Sequence, residues 1–160
     1  MSEKATGEDT RAKAVALALR IIGTRSVSRK ELYDKLTGKG ISESDAETAI
    51  NRMSELGYLN DADYAERVAK HYSARGYGPA RIKSELYRRG LQRELSDEIS
   101  AGLPDQSDRL VAMLRSKLKC GSYSGKDIKR AASALYRRGF SRDDINTALD
   151  KLKPEIEELQ

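Results

Sequence analysis

The sequence predicts an all-α protein, three tandem three-helix repeats forming an elongated, curved array, and three observations carry that expectation. The pentapeptide Leu86-Tyr87-Arg88-Arg89-Gly90 returns as Leu135-Tyr136-Arg137-Arg138-Gly139, 49 residues later, and a degenerate copy, Leu36-Thr37-Gly38-Lys39-Gly40, lies 50 residues earlier. A period of this size marks stacked supersecondary units that bury a continuous core together. Apolar residues recur every three or four positions and do not alternate over any long run, which favours helices over strands. The composition agrees, with 38% hydrophobic and 34% charged residues, no Trp, one Phe, 12 Gly and 3 Pro, so the cores are built mainly of Leu, Ile, Val and Ala. The period divides the 160 residues into repeats at 1–58, 59–104 and 105–160, the last with an acidic tail. Units this small are marginal alone and lean on their neighbours.

In the first repeat, Val15, Ala18, Leu19 and Ile22 give the stripe of an amphipathic helix. Ser28-Arg29-Lys30-Glu31 reads as a capping box opening a second helix with Leu32 and Leu36 inward, ended by Gly38 or Gly40. A third begins at Ser42, buries Ala46, Ala49, Ile50 and Met53, and stops at Gly57. The second repeat opens at Asn60 or Asp61, with Ala65, Val68, Ala69 and Tyr72 on one side of its helix. Pro79 takes the first position of the next helix, Ile82 and Leu86 face inward, and Gly90 terminates it. Leu95 and Ile99 mark a short sixth helix before the linker Gly102-Leu103-Pro104-Asp105. The third repeat carries Leu110, Met113 and Leu114, then an interruption from Gly121 to Ser124. The stripe Ile128, Ala131, Ala132, Leu135 follows, and finally Ile145, Ala148, Leu149, Leu152 after a Ser141 cap. Pro154 and the acids beyond it fray or cap the last helix.

Several function classes are excluded by what is missing. One cysteine, Cys120, rules out an intrachain disulfide and any multi-cysteine metal site, and suits a reducing compartment. His71 is the single histidine, no phosphate-binding glycine motif occurs, and paired acids such as Asp143-Asp144 fall at helix starts, where capping explains them. The expectation is a non-enzyme without cofactor or metal. No apolar run is long enough for a membrane span and the amino terminus is polar, so a cytoplasmic protein is expected.

Charge is segregated along the chain. Residues 42–66 hold seven acids against Arg52, whereas 75–93 hold six bases against Glu85, and 115–142 hold nine against Asp127. Such an uneven field can orient an anionic partner. Within the pentapeptides the two arginines and the glycine fall in the last turn of a middle helix, where cations favour the dipole by about 0.3–1 kcal/mol and glycine stops the helix. That account does not reach the bases earlier on the same helices. Arg81, Lys83, Arg88, Arg89, Lys126, Lys129, Arg130, Arg137 and Arg138 are therefore the candidate contacts for a polyanion or an acidic partner. Tyr77, Tyr87, Tyr123 and Tyr136 lie among them, suited to stacking on unpaired bases or to covering the rim of a small core.

The stretch Gly57-Tyr58-Leu59-Asn60-Asp61, then Tyr64-Ala65, Gly76-Tyr77-Gly78-Pro79-Ala80-Arg81-Ile82, Glu85-Leu86 and Arg89-Gly90-Leu91 resembles the central signature of the RecX family. The likeness extends to Arg137-Arg138-Gly139-Phe140 and to Ser28 through Leu36. Asn60 replaces the family's usual acid, and Lys39-Gly40 replaces two basic residues before glycine, which separates the first repeat from the other two. The resemblance implies a regulator of the RecA recombinase, active in homologous recombination, DNA repair and the SOS response. Members associate with the RecA filament on single-stranded DNA, lie along its groove, and restrain its recombination, ATPase and co-protease activities. It implies a monomer partnered by RecA and by single-stranded DNA within the filament, with weaker binding to free DNA and none to membranes. Two other readings fit the residues themselves: a stand-alone nucleic-acid-binding repeat protein, and a helical adaptor for an unrelated acidic protein.

Overall fold

The computed structural model describes residues 6–118 and 123–158, and among them are nine helices and no strand. In chain order these are α1 (Gly7–Thr24), α2 (Arg29–Gly38), α3 (Glu43–Glu55), α4 (Asp61–Ala74), α5 (Pro79–Arg88), α6 (Arg93–Ala101), α7 (Ser107–Leu118), α8 (Gly125–Arg137) and α9 (Arg142–Glu158). They divide into two compact units, one formed by Met1–Val68 with Glu85–Ser96 and the other by Ala69–Ser84 with Asp97–Gln160.

In the first unit α1 lies against α3, and α2 packs on both. The face that α1 buries is Ala14, Ala18 and Ile21, while Leu19 is 44% exposed. Of the expected stripe Val15, Ala18, Leu19 and Ile22, Ala18 is buried and Val15 and Ile22 pack partly buried against the core, whereas Leu19 turns outward and Ala14 and Ile21 complete the buried face. The physical reason is the partner: α3 presents Ala46 and Ala49, both fully buried, and small side chains on each helix let the backbones approach closely. Ile50, Met53, Leu32 and Leu36 fill the remainder of this core as expected. The capping box at α2 is half formed. Ser28 Oγ accepts from the Glu31 amide at 3.0 Å, but the Glu31 carboxylate turns to the Tyr64 hydroxyl at 3.1 Å instead of back to its own cap.

In the second unit α7, α8 and α9 enclose a core of Leu110, Leu114, Leu118, Ala131, Leu135, Phe140, Ile145, Ala148, Leu152 and Ile156. Ser124 and Ser141 cap α8 and α9, accepting from the Asp127 and Asp144 amides at 3.2 and 3.1 Å. Pro154 does not end α9, which runs on to Glu158. Two contacts hold the final turn despite the missing N–H donor: Ile156 is buried, and Glu155 pairs with Arg115 through bonds of 2.7 and 3.0 Å. The expected break at Gly121, together with Lys119 and Cys120, lies outside the described residues.

Three helix ends share one device. The leucines at 36, 86 and 135 each accept, at 3.1, 3.2 and 3.3 Å, from the amide five residues on, beyond a glycine with φ of 89°, 77° and 99° respectively. This is the Schellman termination, which needs a residue that tolerates positive φ.

Candidate functional site

The candidate residues lie on or beside two middle helices, and the structure divides them into groups with different surroundings. On α8, Lys126, Lys129, Arg130 and Arg137 follow one another at i, i+3, i+4 and i+11, which places them on one face roughly 100° wide and about 16 Å long. The opposite face carries Ala131 and Leu135, both buried, with Ile128 and Ala132 partly so. All four cations are exposed, and none is in an ion pair among the described residues. Core burial on one side thus aims an uncompensated cationic strip at solvent on the other.

The second pentapeptide ends against the start of α5, within the second unit. The Gly78 amide donates to the Arg138 carbonyl at 2.8 Å and the Ala80 amide to the Gly139 carbonyl at 3.0 Å. A carboxyl helix end, with its surplus of acceptors, therefore meets an amino end with its surplus of donors, and each satisfies the other. Neither glycine leaves room for a side chain. A Cβ on Gly139 would fall 2.4 Å from the Arg81 nitrogen, and one on Gly78 would fall 2.5 Å from the Gly139 backbone. Arg138 closes the joint, donating to the Arg75 carbonyl at 3.1 Å while its guanidinium lies 5.2 Å from the Tyr77 ring centre. Arg81 covers the same ring at 5.7 Å. Beside the joint, Arg81 and Arg137 line an open groove of about 500 Å³ with Tyr136, Ser84 and Ser141.

The first pentapeptide ends against the start of α2, within the first unit, through side chains. Ser28 Oγ donates to the Arg89 carbonyl at 2.5 Å, and a Cβ on Gly90 would meet the aliphatic stem of Lys30 at 2.5 Å. Its arginines are engaged locally. Glu85, only 5% exposed, accepts from Arg88 at 2.5 and 3.1 Å and from Arg89 at 2.9 Å. Arg89 also donates to the Tyr64 hydroxyl at 2.8 Å, which in turn donates to Glu31. Burial is the main cause holding the Tyr64 phenol above its ordinary value, opposed by the Arg89 hydrogen bond. Lys83, in the second unit, pairs with Asp97 at 2.6 Å.

Of the nine candidates, then, Arg88, Arg89, Arg138 and Lys83 have defined partners, Arg81 lies over Tyr77, and four present a free strip. Reading the sequence by charge missed the Glu85–Tyr64 network. Its signal was present: the second pentapeptide is preceded by Ala134 where the first has Glu85. Tyr136, 53% exposed, is the most open of the four tyrosines singled out whose exposure bears on stacking, and Arg142 lies 5.2 Å from its ring centre. Among the described residues no group of three His, Cys, Asp or Glu side chains is placed to hold a metal, and no helix is long and apolar enough to cross a membrane.

Comparison with known proteins agrees with this architecture. Residues 14–53 match the family profile described as RecX, first three-helix domain, and residues 60–98 match RecX, second three-helix domain. The regulatory protein RecX of Stenotrophomonas maltophilia (strain R551-3) is 33% identical over 141 residues, covering 84% of this chain and 83% of the relative. That of Legionella pneumophila (strain Corby) is 32% identical over 146 residues, covering 88% and 95%. Among solved structures, RecX from Lactobacillus salivarius superposes with a TM-score of 0.85 at 25% identity, over 91% of this chain and 98% of that one.

Proposed function

This chain belongs to the RecX family, and from that premise we propose that it regulates the RecA recombinase by binding the RecA filament on single-stranded DNA and restraining its activities. The observation that carries the contact is the strip on α8, where Lys126, Lys129, Arg130 and Arg137 are exposed and without ion pairs among the described residues. A filament offers closely spaced phosphates and acidic side chains, and an uncompensated strip of about 16 Å can engage several of them at once. Relatives carry the name of regulatory proteins, in keeping with a role exercised through binding.

The test is ATP hydrolysis by RecA on single-stranded DNA with this protein added at substoichiometric ratios. Inhibition, with co-sedimentation of the protein and the filament, is expected. Reversing the four α8 cations to glutamate is expected to remove both while leaving the melting temperature within about 2 °C, since exposed substitutions cost little. No inhibition and no co-sedimentation by the unaltered protein would sink the proposal. Tight binding to naked DNA at physiological salt, with a log–log salt slope of about −0.7 to −0.9 per phosphate, would favour a stand-alone nucleic-acid-binding protein instead.

A further inference from the structure

The cationic strip on α8 has an aromatic residue in its row. At 3.6 residues per turn, positions seven apart fall almost in line, about 10 Å from each other, so Tyr136 continues the row of Lys129 as Arg137 continues that of Arg130. Tyr136 is 53% exposed, and the core beneath it is already closed by Leu135 and Phe140, at 0% and 3%, so covering that core does not account for it. Two other tyrosines of the second unit are engaged: Tyr123 packs against the core, and Tyr77 lies under Arg81 and Arg138. At the end of α8, Tyr136 lines the open groove of about 500 Å³ together with two exposed cations, Arg81 and Arg137, and two exposed hydroxyls, Ser84 and Ser141. Asp144 is the one acid in that lining, and Arg142, 5.2 Å from the Tyr136 ring centre, brings a third guanidinium to it.

Cations alone do not select their anion, since phosphates and carboxylates both satisfy them. The ring among them does. A carboxylate side chain offers an exposed tyrosine nothing to stack on, whereas every unpaired base presents a π-face, and aromatics set beside a positively charged groove hold single strands without regard to sequence. Bases within a duplex are stacked on one another, so the same ring gains nothing from paired nucleic acid. Guanidiniums on either side of the ring suit the phosphates that flank a stacked base, which they can bind through paired hydrogen bonds.

We propose that the end of α8 is a base-stacking subsite for single-stranded nucleic acid: one unpaired base stacks on Tyr136, its flanking phosphates meet Arg81 and Arg137, and the strand runs on along Arg130, Lys129 and Lys126. This rests on the reading of the strip as the filament contact, and it names the strand, not acidic side chains, as what the strip touches. The test is fluorescence anisotropy of the full chain with a labelled oligothymidylate of about 12 nucleotides and with an abasic strand of the same length. The oligothymidylate is expected to bind at least about fivefold tighter than the abasic strand. Tyr136→Leu should remove that advantage while leaving abasic binding and the melt unchanged, and Tyr136→Phe should keep it. Arg137→Gln should weaken both strands alike and reduce the log–log salt slope by about 0.7. Equal binding of the two strands by the unaltered protein, an equal loss for both in Tyr136→Leu, or the same loss in Tyr136→Phe would each overturn the subsite. ATP hydrolysis by RecA, measured with the same variants, separates the two readings. Full inhibition by Tyr136→Leu leaves the filament contact standing without the stacked base, whereas no inhibition by the unaltered protein, with the oligothymidylate preference intact, removes the filament reading and keeps the subsite.

Discussion

The two copies of one pentapeptide end in joints of different construction. The copy at 135–139 meets α5 backbone to backbone, through the Gly78 and Ala80 amides, with two glycines in contact. The copy at 86–90 meets α2 through a serine hydroxyl and a lysine stem, and assigns its arginines to Glu85. The same five residues therefore do not have the same role. What decides it is the residue before them, Glu85 or Ala134, and the amino end they meet, Ser28 or Gly78.

Substitutions that add one methyl group separate the joints most strongly. Gly139→Ala is expected to destabilise by roughly 3–4 kcal/mol, combining a left-handed conformation with overpacking against backbone that cannot move aside. Gly78→Ala, without the positive φ, should lose about 2–3 kcal/mol from the clash alone. Urea denaturation with a constant slope checks both, and losses below about 1 kcal/mol would show that the backbone contact relaxes easily. Glu85→Ala is next, at about 2–3 kcal/mol. It orphans two cations, but Arg88 is 71% exposed at its side chain and regains water, which keeps the loss below that of a fully buried pair. Gly90→Ala should cost about 2 kcal/mol, because the Lys30 stem can swing away, and Gly40→Ala about 1 kcal/mol, from conformation alone. The smallest effect is a pH dependence confined to the first joint. Since the folded Tyr64 pKa lies above its unfolded value near 10, its contribution is intact below pH 10 and falls as the pH rises through the raised value. Tyr64→Phe should flatten that alkaline slope, and an unchanged slope would remove Tyr64 as its source.

Local signals in the sequence carried most of the fold. Caps at Ser42 and Ser141, stops at Gly57 and Gly90, and stripes such as Ala46, Ala49, Ile50 and Met53 are written within a few residues of where they act. On α1 the one departure is Leu19: hydrophobicity favours it, whereas close approach to an alanine face favours Ala14 and Ala18, and that partner is about 30 residues away. The end of α9 is likewise set from a distance, since Arg115 and a core for Ile156 outweigh the proline. The candidate site was legible as charge but not as availability. Nothing near Arg88 in sequence distinguishes it from Arg137 except Glu85, and only folding shows that this carboxylate is buried beneath its arginines.

Gly40 ends the degenerate copy, and a Cβ there would meet nothing within 4 Å. The two complete copies, by contrast, hold residues about sixty positions apart, Ser28 to Arg89 and Arg75 to Arg138. Closing loops of that length is slow compared with forming a helical hairpin, because the chain must lose entropy before any contact is gained. Assembly should therefore run in two tempos, with the α1–α3 and α7–α9 cores condensing from near neighbours and the pentapeptide joints locking afterwards. In kinetic terms Gly139→Ala would then accelerate unfolding far more than it slows folding, the signature of a contact made after the barrier.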